Sequence, residues 1–121
     1  MNMKLNLIVG KSVFTATMYA NDSARDFMSM LPLTLTLGDY NRKERSSRLP
    51  KRLSVDEPED GVNISAGDIN YYTPFRNLSI YYHDAGHSFC QVSLGKIDGK
   101  GMEAIREMAG SGPVKITFEI A

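Results

Sequence analysis

The amino-acid sequence predicts a mainly β fold, a closed antiparallel barrel of eight strands whose two ends are capped by short α-helices. Many short runs alternate between apolar and polar residues and are separated by turn residues, which is typical of antiparallel strands. The two helical patterns lie far apart in the sequence and do not alternate with the strands, which excludes a parallel βαβ sheet. No internal repeat of a propeller or solenoid is present.

The composition is that of a single globular domain spanning residues 1–121. The chain has 14 basic and 14 acidic residues, so a formal net charge of zero argues against a nucleic-acid or membrane partner. Its single cysteine, Cys90, excludes an internal disulfide, and we expect a small buried thiol. The N-terminal run lacks the pattern of a signal peptide, so a cytoplasmic protein is expected.

The first elements are a hairpin and a helix. Residues 3–9 and 13–19 are strand-like and meet at Gly10-Lys11, which predicts a tight turn. Residues 24–31 form an amphipathic pattern that ends at Pro32, and Asn21, Asp22 and Ser23 before it offer capping side chains. Further strands are predicted at 33–37, 62–65, 68–72, 78–82, 90–97 and 114–120, and a second helix at 101–109.

Between these elements, residues 39–61 lack a periodic pattern and predict a long charged loop over one mouth of the barrel. Residues 42–52 contain six basic side chains and one acidic side chain, and residues 56–60 contain four acidic ones. The basic part could bind an anion, a phosphate or an acidic peptide through its guanidinium groups. The alternative is a solvated loop that the acidic part partly neutralises.

Several motifs resemble those of cyclophilins. Residues 94–108 and 115–120 are similar to the closing strand–helix–strand of that fold, and residues 14–27 to its second strand and first helix. A closer resemblance is to small bacterial cyclophilin-like proteins. Their ordered motifs match Asn21–Ala24, Leu31–Thr34, Asp39–Glu44, Leu49–Pro50 and Gly67–Tyr72. The resemblance covers nearly the whole chain and implies the eight-stranded cyclophilin-like barrel.

The resemblance does not imply the activity of prolyl isomerases. Their Phe-His-Arg and Gln-Phe-Phe signatures are absent, and the chain has no tryptophan. No catalytic residue is therefore transferred, because one fold serves many functions. A divergent isomerase would need a relocated arginine, from Arg42, Arg45 or Arg48, beside a dry apolar pocket.

Other residues are candidates for a binding site. Tyr40 and Glu44 open the charged loop, where Glu44 could be held by an arginine and Tyr40 could form a pocket wall. Phe75 and Tyr82 belong to an aromatic segment in which alternation places one member of each Tyr-Tyr pair inside the barrel. The predicted binding residues are Tyr40, Arg42, Glu44, Arg45, Arg48, Phe75 and Tyr82. Turn formation by the polar residues and ordinary packing of the aromatic ones are the alternatives.

A metal site is not predicted, although His83, His87 and Cys90 are possible zinc ligands, because only one such group is present. No cofactor is expected. Two hypotheses follow for the function. The first is a module that binds a peptide or small molecule between the basic loop and the aromatic segment, and the second is a divergent prolyl isomerase. The sequence leaves the oligomeric state open.

Overall fold

Ten strands and the helix α1 are assigned in residues 3–55, 60–101, 103–104 and 112–121, the part of the chain that the computed structural model describes. The helix α1 spans Asp22–Ser29. The strands are β1 (Lys4–Val9), β2 (Ser12–Met18), β3 (Leu33–Tyr40), β4 (Glu44–Arg48), β5 (Val62–Ile64), β6 (Asp68–Tyr72), β7 (Asn77–Tyr81), β8 (Gly86–Ser88), β9 (Gln91–Ile97) and β10 (Val114–Ile120).

Eight of the strands form a closed antiparallel barrel in the order β1-β10-β3-β4-β7-β6-β9-β2, and β2 pairs with β1 to close it. The remaining two, β5 and β8, pair only with each other, and we call this pair the small sheet. The predicted barrel of eight strands is confirmed, but its membership differs. The run at 62–65 belongs to the small sheet, and β4 takes its place in the barrel.

The core lies inside the barrel because the alternating strand residues place their apolar side chains there. Leu5, Leu37, Ile80 and Phe118 are completely buried members of this core. The helix adds Phe27, whose ring packs edge-to-face on Phe118 with 5.6 Å between centroids. An aromatic pair in this geometry stabilises beyond the apolar area it buries.

The helix begins as the sequence predicts. The side chain of Asn21 accepts a 2.8 Å hydrogen bond from the amide of Ala24, which satisfies one of the free donors at the helix start. The second predicted helix, 101–109, falls mostly on residues outside the described part of the chain. Capping of both barrel ends by helices therefore stays a prediction.

The prediction of one long loop over 39–61 is wrong in its first half. Strand β3 continues to Tyr40, and β4 pairs with it so that Tyr40 lies opposite Glu44. Asn41 and Arg42 make the turn with φ of 56° each, and the amide of Arg42 donates to Asp39. Strand β4 was not predicted because its residues are polar, and its one fully buried side chain is that of the charged residue Arg45. Residues 56–59, in the acidic half, lie outside the described residues.

No helix in the described ranges combines the length and the apolar character that crossing a bilayer would require.

Candidate functional site

A cavity of about 390 Å³ lies between the small sheet and the outer surface of β4, β7, β6 and β9. This volume is within the range of small-molecule sites. The lining residues are Tyr40, Asn41, Lys43, Glu44, Ser46, Ile64, Tyr72, Phe75, Asn77, Ser79, Tyr81, Ala85, His87, Ser88 and Gln91.

Strand alternation explains why the floor of the cavity is polar. On β7, Ser79 and Tyr81 face the cavity, whereas the intervening Ile80 belongs to the core. On β4, Glu44 and Ser46 face it in the same way, opposite Tyr81 and Ser79 in the register of the two strands. One barrel wall therefore has an apolar inner surface and a hydrogen-bonding outer surface, which the small sheet covers.

Three buried side chains form a continuous hydrogen-bond chain below the cavity. Nδ2 of Asn70 donates to Oε1 of Gln91 over 3.1 Å, and Nε2 of Gln91 donates to the hydroxyl of Tyr81 over 2.8 Å. Burial, with a further contribution from the Glu44 carboxylate, raises the pKa of Tyr81 well above its usual value. Tyr81 therefore stays a neutral phenol, and the linked side chains hold it in a fixed orientation.

Glu44 places a carboxylate in the cavity. Its Oε1 accepts a 2.9 Å hydrogen bond from the hydroxyl of Ser79, and its side chain is half-buried. Within the described ranges, no lysine, arginine or histidine forms an ion pair with it. The negative charge is held by neutral donors and remains available to a ligand.

Aromatic rings surround the mouth of the cavity. Tyr40 is 60% exposed and Phe75 is 56% exposed, although both line it. The ring of Tyr72 packs edge-to-face on Phe75 with 5.7 Å between centroids. Exposed aromatic groups around a concave polar site are typical of surfaces that bind a ligand.

The small sheet is fixed by close backbone packing. Gly61 precedes β5 with φ of +72°, and a Cβ atom at this position would clash with the carbonyl oxygen of Ser88. In the same pair of strands, Nδ1 of His87 lies 3.0 Å from Oδ1 of Asn63. His87 is thereby directed by a side chain of the partner strand.

The histidines and Cys90 do not assemble a metal site. No group of three or more histidine, cysteine, aspartate or glutamate side chains with suitable geometry occurs among the residues that the structure describes. His83 contacts the carbonyl oxygen of Asp84 instead. The expected burial of Cys90 is wrong, because its thiol is exposed and its backbone has φ of 62° in a turn before β9.

Three of the seven predicted binding residues, Tyr40, Glu44 and Phe75, come together around the cavity. Arg42 and Arg48 are exposed and do not line it. Binding by any of these residues stays a prediction.

The other two predicted residues lie elsewhere. Arg45 is completely buried, opposite Ile80 in the register, and its Nη1 donates a 2.8 Å hydrogen bond to the carbonyl oxygen of Gly112. Tyr82 belongs to the core, and its hydroxyl donates to a carboxylate oxygen of Asp39. The expectation that Arg45 lies in a solvent-facing basic loop is wrong, since its position on β4 directs it inward.

Most of the cavity wall was not predicted as a binding site from the sequence, and Ser79, Tyr81, Gln91 and His87 are among the residues missed. The signal for the first two was the alternation of 77–81, where polar side chains occupy every second position of an otherwise apolar strand. Gln91 and His87 carry no such signal. They reach the cavity only because β9 pairs with β6 and the small sheet folds over this wall.

Comparison with known proteins supports the fold assignment. The structure is similar to the hypothetical protein AF2241 from Archaeoglobus fulgidus, with a TM-score of 0.67 at 15% identity, covering 99% of this chain and 95% of that one. It is also similar to McbB, whose structure is a complex with tryptophan, with a TM-score of 0.64 at 9% identity, covering 95% of this chain and 44% of that one. No curated protein matches the sequence.

These structural similarities establish a shared fold, and the sequence itself identifies the family. The model of the Cyclophilin-like family matches residues 7–119, which is nearly the whole chain. The resemblance seen in the ordered motifs is thereby confirmed. The chain belongs to the Cyclophilin-like family.

Proposed function

We propose that this protein is a binding module that takes a small molecule or a short peptide segment into the cavity under the small sheet. The observation that supports this most directly is the buried chain from Asn70 through Gln91 to Tyr81. Burying polar groups is unfavourable unless hydrogen bonds satisfy them. Gln91 and Tyr81 are linked to each other and both line the cavity, whereas Oδ1 of Asn70 has no hydrogen-bond partner among the described residues. Such preorganised polar groups in a concave site are the usual means of ligand recognition.

The position of the cavity supports the same proposal. It lies between the β3–β4 turn, which supplies Tyr40, and the aromatic segment, which supplies Phe75. This is the region in which the sequence predicts a ligand. McbB, whose structure is similar to this one over 44% of its own chain, was solved in complex with tryptophan, which makes a small aromatic molecule one candidate ligand to test.

The alternative, a prolyl isomerase with a relocated arginine, gains no support from the geometry. None of Arg42, Arg45 and Arg48 lines the cavity, and Arg45 is committed to the carbonyl of Gly112. An isomerase of this kind requires a donor beside the prolyl amide, in the pocket that holds the ring. We therefore propose binding without isomerase catalysis.

Nuclear magnetic resonance tests both statements in one sample. The labelled protein is titrated with capped Xaa-Pro peptides and with a library of small-molecule fragments, and cis–trans exchange of the peptides is recorded. We expect amide shifts around Tyr40, Phe75 and Gln91, without faster exchange. Accelerated exchange that one arginine-to-alanine variant abolishes would establish the isomerase instead.

A filled cavity provides the control. Ser46→Phe places a ring among the lining residues, whereas Thr36→Phe places the same ring on the exposed surface of β3. The shifts should disappear in the first variant and persist in the second. Shifts that persist in Ser46→Phe, or an absence of any shift in the wild type, would overturn the proposed function.

A further inference from the structure

Glu44 places a negative charge in the cavity, and among the described residues this charge has no ion-pair partner. The residue is half-buried, and the groups that hydrogen-bond to its carboxylate, the Ser79 hydroxyl and the Tyr81 phenol, are neutral. Removing a carboxylate from water is unfavourable unless an opposite charge compensates it. Since the described side chains supply no ion-pair partner, a ligand is the natural source of that charge.

Lys43 and His87 are the two basic side chains on the cavity wall, and neither neutralises Glu44. Lys43 is exposed, and its long stem lets the ammonium group remain in water. The Nδ1 atom of His87 is already engaged with Asn63. The carboxylate therefore faces the cavity without competition from an internal cation.

The aromatic rings near Glu44 select for the same kind of ligand. Tyr40, Tyr72, Phe75 and Tyr81 line the cavity together with the carboxylate. Aromatic faces attract ammonium and guanidinium groups through the ring quadrupole and also pack against apolar chains. A carboxylate beside several rings is complementary to a cation that carries an apolar stem.

We infer that the ligand of this cavity bears an ammonium or guanidinium group on an apolar stem, with Glu44 as its counter-ion. This inference rests on the proposed function and narrows it to one chemical class. The shared chemistry has two possible sources, a free amine or the lysine or arginine side chain of a peptide. Each source has its own arm in the experiment below.

The test compares three probes of similar size that differ in charge. Phenethylammonium, neutral 2-phenylethanol and anionic 3-phenylpropanoate are titrated separately into the labelled protein, and dissociation constants are taken from the amide shifts. We expect phenethylammonium to bind at least about fivefold more tightly than 2-phenylethanol, as for a partly screened ion pair, and 3-phenylpropanoate to bind most weakly. Salt should reduce the preference, because screening weakens the charge interaction.

Glu44→Gln keeps an acceptor for Ser79 and removes the charge, so it should abolish the difference between the cation and the alcohol. Glu119→Gln is the matched control, since β10 lies outside the strands that form the cavity, and it should keep the difference. The probe comparison in the wild type needs no variant, so it stands even if a variant folds poorly.

Two capped tripeptides, one with arginine and one with norleucine at the centre, distinguish the two sources of the cation. Tighter binding of the arginine peptide than of phenethylammonium identifies a peptide side chain, and the reverse identifies a free amine. Equal shifts from the cation and the alcohol would overturn this inference and leave the binding module intact. No shift from any probe, including the fragment library, would overturn the proposed function as well.

Discussion

The hydroxyl of Ser79 donates a 2.9 Å hydrogen bond to Oε1 of Glu44 across the β4–β7 pair, on the wall of the cavity. This bond joins two strands that are far apart in the sequence and orients the carboxylate toward the cavity. Hydrogen bonds to charged groups contribute more than neutral ones, because the acceptor carries a full charge. The pair therefore contributes both to stability and to the geometry of the site.

Ser79→Ala should lower the free energy of unfolding by about 1–2 kcal/mol, measured by urea denaturation, because Glu44 loses a donor that is partly shielded from water. Ser93→Ala is the matched control on β9, since its hydroxyl donates no hydrogen bond to any described residue. That control should change stability by less than about 0.5 kcal/mol. Equal effects of the two variants would contradict a stabilising role for the Ser79–Glu44 bond.

The raised pKa of Tyr82 predicts that the free energy of unfolding falls in strong alkali. Burial first, and then the hydrogen bond to Asp39 and the charge of that carboxylate, raise the pKa of Tyr82 to about 12 from its ordinary value of 10.0. Because the folded pKa is raised, the contribution of Tyr82 is fully present below about pH 10. It is lost as the pH rises from about 10 through 12, since the unfolded chain then releases the proton more readily.

The measurement is the urea midpoint at several values across that pH window. Tyr82→Phe should make the decline less steep because one of the two tyrosines with a raised pKa is gone, the other being Tyr81. Tyrosinate absorbance should show one late-titrating hydroxyl fewer in the variant than in the wild type. Tyr19→Phe serves as the control, since Tyr19 is 43% exposed. An identical decline of the urea midpoint in Tyr82→Phe and wild type would rule out Tyr82 as the cause of the alkaline loss of stability.

The three arginines of the β3–β4 region should differ sharply in how much the free energy of unfolding falls when each is changed to alanine. Arg45→Ala removes a buried stem and the donor to the Gly112 carbonyl, so we expect a loss of about 2–4 kcal/mol in the free energy of unfolding. Arg42→Ala and Arg48→Ala remove exposed side chains and should stay within about 0.5 kcal/mol. Thermal or urea unfolding checks the order, and three similar values would show that Arg45 is not a core residue in solution.

Gly61→Ala should release the small sheet from the barrel. The added Cβ would clash with the carbonyl oxygen of Ser88 at a position with φ of +72°. Hydrogen exchange should become faster at the amides of 62–64 and 86–88 and stay unchanged in the barrel, because the clash is local.

Gly10→Ala is the control for backbone strain alone. Its φ is +59° and nothing lies within 4 Å of the added Cβ, so it should cost about 1–2 kcal/mol without exposing the small sheet. Unchanged protection of the small sheet in Gly61→Ala would contradict the role of the close contact with Ser88.

Much of the barrel could be predicted from residue order. The bounds of β6 and β10 match the predicted runs 68–72 and 114–120, because apolar alternation is read directly from neighbouring residues. The Gly10 turn and a helix cap within residues 21–23 were predicted for the same reason, since both depend on interactions within a few residues, and the structure selects Asn21 as the cap. Strand β4 was missed because its inward residue is Arg45, which a local pattern assigns to the surface.

The candidate site was predicted only in part. Glu44, Tyr40 and Phe75 were selected for their type and proximity to turns, and the structure places all three around the cavity. Tyr81 was assigned no role, although its hydroxyl is the end of the buried hydrogen-bond chain. Its partners lie on β9 and β6, and no spacing along the chain reveals that they meet.

The sequence by itself determined the β class, the turn at Gly10, the capped helix and the family, because these depend on local propensity and on the order of short motifs. Only the tertiary structure decided that Arg45 enters the core while Glu44, the residue before it, faces the cavity. Adjacent strand residues point to opposite surfaces, and barrel closure selects which surface is inside. The strand register therefore decides that Arg45 is a structural residue and that the carboxylate of Glu44 is available to a ligand.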